Sequence, residues 1–200
     1  MSKFYYAVKN GKNPGIYESW AECQAQVIGY SGAKYKKFSS YEEALDFNQD
    51  KGEFLRPDEE NLKENEMIAY VDGSFCLKTR TYSYGVVVLT KEGKETYSGR
   101  ENDKELAEMR NVSGEIKGAM VAMDLAIKKE KQILYLYFDY TGIEHWAKGD
   151  WKTNKEGTKV YKEYYDSLKD DLTVIFIKVR AHTGVVYNEE ADRLAKEAIL

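Results

Sequence analysis

The sequence has few cysteines, no long apolar run and no excess of positive charge, and each absence excludes a class of protein. Cys23 and Cys76 are far apart and in no metal-ligand spacing, so we expect no disulfide framework and a reducing cytoplasm as the setting. No apolar stretch reaches the roughly 18 residues of a transmembrane helix, and the N-terminus lacks the continuous apolar region of a signal peptide. We therefore expect no membrane partner.

The net charge of −4 is unusual for a nucleic-acid-binding protein, but the acidic residues are unevenly distributed. Their excess lies mostly in residues 49–66, a polar segment that contains Gly52 and Pro57 and lacks apolar periodicity. We interpret this segment as a linker. It would join a small domain, residues 1–48, to a larger one, residues 67–200, each of which is nearly neutral.

The N-terminal segment predicts a small α+β unit of three short strands and two helices. Two S-x-x-E patterns, Ser19 to Glu22 and Ser40 to Glu43, are typical of helix starts. The strands are predicted at FYYAVKN, GIYES and YKKF. Aromatic residues next to lysines in these strands either stack on bases and neutralise phosphates, or fill a small core.

The larger segment predicts an α/β domain with a mixed five-stranded sheet flanked by helices. Strands that first pair antiparallel and then alternate with helices favour this architecture. A long helix is predicted from Ser113 as N-cap and a last helix from about Asn188. The long helix would bury one apolar face, formed by Ile116, Ala119, Met120, Met123 and Ile127. The five strands are predicted at MIAYVDGSF, YSYGVVVLT, GKETYSG, ILYLYFD and TVIFIKV.

Four acidic residues occupy positions in this segment that suggest a metal site. Asp72 and Asp139 each end an apolar strand, Glu115 lies near the start of the long helix, and Asp192 lies in the last one. Burial of an unpaired carboxylate is costly, so converging acids would require divalent cations between them. Oxygen ligands of this kind suit Mg²⁺ or Mn²⁺. The alternative is that each acid simply faces solvent.

The N-terminal segment resembles the hybrid-binding domain found in many type 1 ribonucleases H and in viroplasmin proteins. The resemblance covers residues 3–47, from FYYAVKN through the WAECQAQ helix to KYKKF. It implies binding of an RNA/DNA hybrid. The aromatic residue before the lysine pair is often Phe in the family and is Tyr here, a change that keeps a stacking surface. The implied hybrid-binding residues are Tyr6, Trp20, Tyr35, Lys36 and Lys37.

Residues 67–200 are similar to the type 1 ribonuclease H catalytic domain, which implies the ribonuclease H fold. The matching motifs are DGS, a Glu in the first turns of the long helix, an Asp after the fourth strand, HTG and NEEADRLA. The resemblance implies that Asp72, Glu115, Asp139 and Asp192 hold two Mg²⁺ ions, with Mn²⁺ as an alternative. It implies supporting roles for His182, in proton transfer or product departure, and for Glu189. It also implies substrate contacts by Asn111 in the minor groove, by Thr153 and Asn154 in a DNA-phosphate pocket, and by Trp151 in the DNA channel.

The two resemblances together imply an endonuclease that cleaves the RNA strand of RNA/DNA hybrids by two-metal-ion catalysis. Its products would carry 5′-phosphate and 3′-hydroxyl ends, and we expect it to act as a monomer. One departure from the family is Asp139, which stands in FDY rather than in TDS. A second is the segment between Asp139 and Trp151, whose single basic residue is Lys148, where some family members have a longer basic helix. We therefore expect the N-terminal domain to supply part of the hybrid affinity.

Two other functions fit the same residues. One is a non-catalytic protein that binds RNA/DNA hybrid or double-stranded RNA, with the acidic residues as remnants. The other is a structure-selective nuclease on the same fold, such as a resolvase or an integrase core.

Overall fold

The computed structural model describes residues 4–39, 41, 44, 47, 57, 59, 61–179 and 185–199. The chain divides into two compact units, Met1–Arg56 and Pro57–Leu200. Among the described residues, no helix combines the length and the apolar character needed to span a bilayer.

The first unit contains a three-stranded antiparallel sheet and a helix. The sheet order is β2-β1-β3, with β1 at Tyr5–Asn10, β2 at Gly15–Tyr17 and β3 at Lys34–Phe38. Helix α1, Trp20–Val27, begins with the predicted capping box: the Glu22 N–H donates to the Ser19 hydroxyl, and the Ser19 N–H donates to the Glu22 carboxylate. A small core of Val8, Cys23 and Val27 lies beneath it. Ser40 and Glu43, on which the second predicted helix depends, lie outside the described residues.

The second unit has the predicted five-stranded mixed sheet, in the order β6-β5-β4-β7-β8. The first three strands pair antiparallel, and β4, β7 and β8 pair in parallel. The strands are β4 at Glu66–Cys76, β5 at Thr81–Thr90, β6 at Gly93–Glu101, β7 at Ile133–Phe138 and β8 at Thr173–Lys178. The helices are α2 at Lys104–Ala107, α3 at Asn111–Lys128, α4 at Gly142–Lys148, α5 at Glu156–Ser167 and α6 at Val186–Ala198.

Helices cover both faces of this sheet, and successive side chains of β4 point alternately into the core on each face. Met67, Ala69 and Val71 pack with the larger core, which also contains residues of α3, α4 and α5. Ile68 and Tyr70 pack with a second core that includes Ala191 of α6. By the same alternation, Asp72 belongs to the face that α6 covers.

Two predictions for the long helix are wrong. Helix α3 begins at Asn111, two residues before the predicted start, and Ser113 lies inside it, where its hydroxyl donates to the Leu106 carbonyl. This contact with the preceding helical segment comes from tertiary structure and is invisible to a capping pattern. Ile127, predicted to face the core, is 37% exposed, and Ala126 is buried instead.

Part of the predicted linker packs against the second unit. Leu62 is buried in the α6-side core, and Glu66 opens β4. The buried ammonium of Lys131 donates to the Glu64 carbonyl at 2.6 Å, and the Asn65 amide donates to Gln132 at 3.1 Å. The last residues of the acidic segment are therefore hydrogen-bonded to the residues just before β7, at one end of the large sheet.

Two glycines allow helices to approach β4, which carries Asp72, and its neighbour β5. A Cβ on Gly73 would lie 2.4 Å from the backbone nitrogen of Glu115, and one on Gly85 would lie 2.1 Å from the Ala191 carbonyl oxygen. Both distances are shorter than any tolerated contact. Glycine at these positions therefore lets α3 lie against β4 and α6 lie against β5, which brings Glu115 and Asp192 towards Asp72.

Candidate metal centre and substrate-binding surfaces

Three of the four predicted ligands converge at one end of the central strands. Asp72 lies on β4, Glu115 in the second turn of α3, and Asp139 directly after β7, the parallel neighbour of β4. One carboxylate oxygen from each lies within 4.8 Å of the others. Asp72 and Glu115 are only 8% and 5% exposed. We call these three residues the carboxylate cluster.

The carboxylate cluster concentrates negative charge in a mostly buried site. Burial, and then the charge of Asp139, raise the pKa of Asp72 to about 6. Burial, and then the charges of Asp72 and Asp139, raise the pKa of Glu115 well above its ordinary value. Within the described part of the chain, the buried Oε2 of Glu115 has no hydrogen-bond partner. A buried acceptor in this state fits a site for a hard cation.

Asp192 approaches the cluster from α6 but is not one of its three converging members. The charge of Asp192 contributes to the raised pKa of Asp72, so the two carboxylates lie near each other. Lys196, one helical turn further, donates from Nζ to Oδ2 of Asp192 at 2.7 Å. This hydrogen bond, together with the charges of Asp192 and Asp72, raises the pKa of Lys196. Sequence reasoning missed Lys196, although its i,i+4 spacing from Asp192 was visible.

The remaining residues predicted near the metals are only partly described. Glu189 is exposed on α6, three residues before Asp192 and therefore on the same side of the helix. His182 lies outside the described residues.

Asn111 lies at the entrance to the cluster. It is exposed, is the first residue of α3, and follows Arg110, whose φ of 55° turns the chain sharply into the helix. A Cβ on Gly73 would come 2.5 Å from the Asn111 carbonyl oxygen. The start of α3 therefore lies directly against the strand segment that follows Asp72.

A cavity of about 320 Å³ opens beside the start of α3. It is lined by three cations, Arg110, Lys152 and Lys155, and by Asn154. Thr153, predicted beside Asn154, is not among its lining residues; the other lining residues are Glu108, Met109, Val112, Tyr140, Trp146 and Thr158. Sequence reasoning missed Arg110, because the two lysines that share the cavity with it lie more than 40 residues further along the chain.

Aromatic rings lie next to this cavity. Trp151 is 40% exposed, stacks on His145 at 5.0 Å between ring centroids, and meets Trp146 edge-on at 5.8 Å. The His145 Nδ1 also hydrogen-bonds Asp150 at 3.0 Å. These contacts hold the Trp151 ring while one side of it stays accessible.

The first unit presents a row of three aromatic rings with two lysines beside it. Trp20 lies 5.7 Å from Tyr6 and 5.8 Å from Tyr35, measured between ring centroids. Trp20 and Tyr35 are 44% and 45% exposed, so they do not fill the small core. Lys36 and Lys37 follow on β3 and are exposed as well.

Family comparisons match both units. The family model described as "Ribonuclease H1 N-terminal domain" matches residues 4–48, and the model described as "RNase H" matches residues 64–200. Ribonuclease H1 from Homo sapiens is 26% identical over an alignment of 252 residues, which covers 96% of this chain and 88% of that protein. Ribonuclease H1 from Rattus norvegicus is 25% identical with the same coverage.

Solved structures match the second unit in fold. RNase H1 from Halobacterium salinarum aligns with a TM-score of 0.56 at 20% identity, covering 67% of this chain and 97% of that one. LC11-RNase H1, solved in complex with RNA/DNA hybrid, aligns with a TM-score of 0.52 at 15% identity, covering 67% and 99%. The "RNase H" family model spans well over half of the chain, and the five-stranded sheet of the second unit agrees with the ribonuclease H fold. The chain therefore belongs to the ribonuclease H family of enzymes.

Proposed function

We propose that this protein is an endonuclease that hydrolyses the RNA strand of RNA/DNA hybrids and leaves 5′-phosphate and 3′-hydroxyl ends. The observation that carries the proposal is the carboxylate cluster in a member of the ribonuclease H family, with Asp72 and Glu115 buried and Asp139 half-buried. Remnant acids would have no reason to keep two carboxylates buried beside each other, because burial of such charge is costly.

The donor set fits divalent metal ions, which enzymes of the ribonuclease H family require. Asp72, Glu115 and Asp139 would hold the metal, and Asp192 would add a carboxylate from α6. Two Mg²⁺ ions held there, or Mn²⁺ in their place, would activate a water and stabilise the negative charge on the leaving 3′-oxygen. Lys196, hydrogen-bonded to Asp192, orients that carboxylate and balances part of the negative charge.

The surroundings of the cluster would recognise the two strands differently. Asn111, exposed beside the strand that carries Asp72, is suited to hydrogen-bond 2′-hydroxyls and base edges in the minor groove. The cavity lined by Arg110, Lys152, Lys155 and Asn154 is suited to a phosphate of the DNA strand. Trp151 and Thr153, which is two residues further along the chain, would border the path of that strand. On the family resemblance, His182 keeps its proposed role in proton transfer or product departure, and Glu189 keeps a supporting role near the metals.

The first unit would bind the hybrid through its aromatic row. Trp20 and Tyr35 offer exposed stacking surfaces beside the half-buried Tyr6, and Lys36 and Lys37 offer positive charge to phosphates. Binding by this unit would raise the local concentration of substrate for the second unit. Hybrid binding by the first unit would compensate for the low affinity expected from the short, weakly basic segment between Asp139 and Trp151.

Replacing Trp20 with Ala should raise the KM for a long hybrid and leave kcat nearly unchanged. Loss of one stacking ring costs about 1–3 kcal/mol, which corresponds to about a 5- to 150-fold weaker interaction. Tyr30→Ala is the matched control, because Tyr30 is equally exposed, at 44%, and lies outside the row. Steady-state kinetics on the same substrate give both constants. Equal KM values for the wild type and Trp20→Ala would contradict a binding role for the row.

A panel of matched labelled duplexes tests the proposed activity. We expect metal-dependent cutting of the RNA strand in an RNA/DNA hybrid, and no cutting of double-stranded RNA, double-stranded DNA or the DNA strand. EDTA should stop the reaction. Tight binding of hybrid without cutting in Mg²⁺ or Mn²⁺ would favour the non-catalytic binding protein, and preferred cutting of branched DNA would favour the structure-selective nuclease.

The cytoplasmic location and the monomeric state, both expected from the sequence, remain predictions. Both cysteines are free, with Cys23 buried and Cys76 partly exposed, which is compatible with the cytoplasmic setting expected for them. The monomeric state can be measured by light scattering on the full chain.

A further inference from the structure

The end of the hairpin between β4 and β5 carries an exposed group of cations next to the active-site strand. Lys78 and Arg80 lie in this hairpin end, where residues 77–80 are all exposed. Arg100 lies on the adjacent strand β6, opposite Ser83 of β5. We call Lys78, Arg80 and Arg100 the hairpin cations.

The hairpin cations differ from most other cations of the second unit in having no acidic partner within the described residues. The paired cations include Lys91 with Glu64 at 2.9 Å and Lys94 with Glu190 at 2.8 Å; the others are Lys63, Lys117, Lys129, Lys131, Lys148, Lys159, Lys162, Lys169, Arg193 and Lys196. Among the described residues, no carboxylate forms an ion pair with a hairpin cation. The second unit is nearly neutral overall, but the hairpin cations give it a local positive surface.

The unpaired cations of the described second unit gather mainly in two places. One is the cavity, with Arg110, Lys152 and Lys155. The other is the hairpin end, with Lys104 following it after β6. Only Lys128, at the far end of α3, lies away from both. Unpaired charge therefore borders the carboxylate cluster, whereas paired charge occupies much of the remaining surface.

Local contacts make the hairpin end favourable for an anion. The Arg100 Nε donates to the Thr81 hydroxyl at 3.2 Å, and the Thr81 and Thr79 hydroxyls lie 2.7 Å apart, so the guanidinium is fixed against the hairpin. Hydrogen bonds from the Thr79 hydroxyl and from the backbone N–H groups of Thr79 and Lys78, with the charge of Arg100, lower the pKa of the Cys76 thiol. The same donors and charge would stabilise a bound phosphate.

The distance from the cluster suits a nucleic-acid strand. Asp72 and Cys76 lie on the same strand, four residues apart, which corresponds to about 13 Å at about 3.3 Å per residue. A DNA duplex rises about 3.4 Å per nucleotide along its axis, so a duplex whose axis follows β4 covers this distance in about four nucleotides. A strand whose phosphate is cut at Asp72 therefore has further phosphates within reach of the hairpin end.

We propose that Lys78, Arg80 and Arg100 bind phosphates of the RNA strand about four nucleotides from the cleaved bond. This inference rests on the proposed function, because it needs the RNA strand to lie at Asp72. It adds a phosphate-binding surface separate from the cavity lined by Arg110, Lys152 and Lys155. Binding there is electrostatic and independent of base sequence.

The test is the double variant Lys78→Gln/Arg80→Gln in the full-length protein. Glutamine keeps most of each side-chain stem and removes the charge. We expect KM for the hybrid to rise about tenfold with kcat within about twofold, and the slope of log KM against log salt concentration to fall by about 2, which is about one for each phosphate that the variant no longer neutralises. The charge-reversed variant Lys78→Glu/Arg80→Glu should show a larger rise. Both variants should unfold at the wild-type temperature, since these side chains are exposed.

Lys91→Gln is the matched control, because Lys91 lies just beyond the opposite end of β5 and is paired with Glu64. It should leave KM and the salt slope unchanged. A double variant with wild-type KM and salt slope would overturn the inference, as would an equal effect of Lys91→Gln. Failure of the wild type to cut hybrid would instead overturn the proposed function.

Neutral linkages in one strand of the substrate distinguish the strands. Methylphosphonates placed about four nucleotides from the cut in the RNA strand should abolish the KM difference between the wild type and the double variant. The same change in the DNA strand should preserve the difference. The reverse result would overturn the assignment to RNA.

Discussion

The Asp72→Asn variant should bind RNA/DNA hybrid and fail to cut it. Asn keeps the size and one oxygen of the side chain but removes the charge that a divalent cation requires of its ligand. Asp72 is also the member of the carboxylate cluster that adjoins both Glu115 and Asp192, since its pKa responds to both. We expect cleavage to fall by about 10³-fold or more, as when a group that stabilises a transition state is lost.

Single-turnover cleavage of a labelled hybrid, with saturating enzyme, measures this loss separately from binding. Asp171→Asn is the control, because Asp171 is exposed and lies outside the cluster. It should cut at the wild-type rate. An Asp72→Asn protein that folds and still cuts within about tenfold of wild type would exclude the cluster as the catalytic centre.

The Glu115→Gln variant should be inactive and, without metal, more stable than the wild type. The wild-type carboxylate is 5% exposed, lies beside two other acids and has an Oε2 without a hydrogen-bond partner among the described residues. Leaving such a group buried costs about 1–3 kcal/mol or more. A glutamine amide removes one charge and can donate to a neighbouring carboxylate. We therefore expect a gain of about 2 kcal/mol in the free energy of unfolding in EDTA at pH 8.

The pH dependence of this gain has a definite sign. Folding raises the pKa of Asp72 from 3.8 to about 6 and raises the pKa of Glu115 in the same direction, so the folded state holds these protons more tightly than the unfolded state. Ionisation then opposes folding, and the metal-free wild type should lose stability as the pH rises from about 4 through 6. Glu115→Gln lacks one titrating group and should lose less.

Urea unfolding in EDTA between pH 4 and 8, repeated with Mg²⁺, measures both effects. Metal that binds only the folded wild type adds about 2.7 kcal/mol at a concentration of one hundred times its dissociation constant. Glu115→Gln should gain much less, because it lacks a ligand. A variant less stable than the wild type in EDTA at pH 8 would show that repulsion within the cluster is not relieved by the substitution.

The secondary structure and the candidate ligands could be predicted from the sequence because their signals are local. Apolar runs marked four of the five strands of the large sheet, β6 being mostly polar, and the capping box at Ser19 marked the start of α1. The start of α3 and the exposure of Ile127 could not be predicted in this way. They depend on the contact of Ser113 with Leu106 and on how the helix lies across the sheet, which are properties of distant segments.

The sequence by itself determined which residues are candidates for the chemistry, and the tertiary structure alone decided how they meet. Asp72 and Asp139 are 67 positions apart, and they converge because β4 and β7 pair in parallel at the centre of the sheet. The cavity at Arg110 and the approach of Glu115 to Asp72 likewise join separate elements. Such contacts follow from strand order and helix placement, which local residue patterns do not encode.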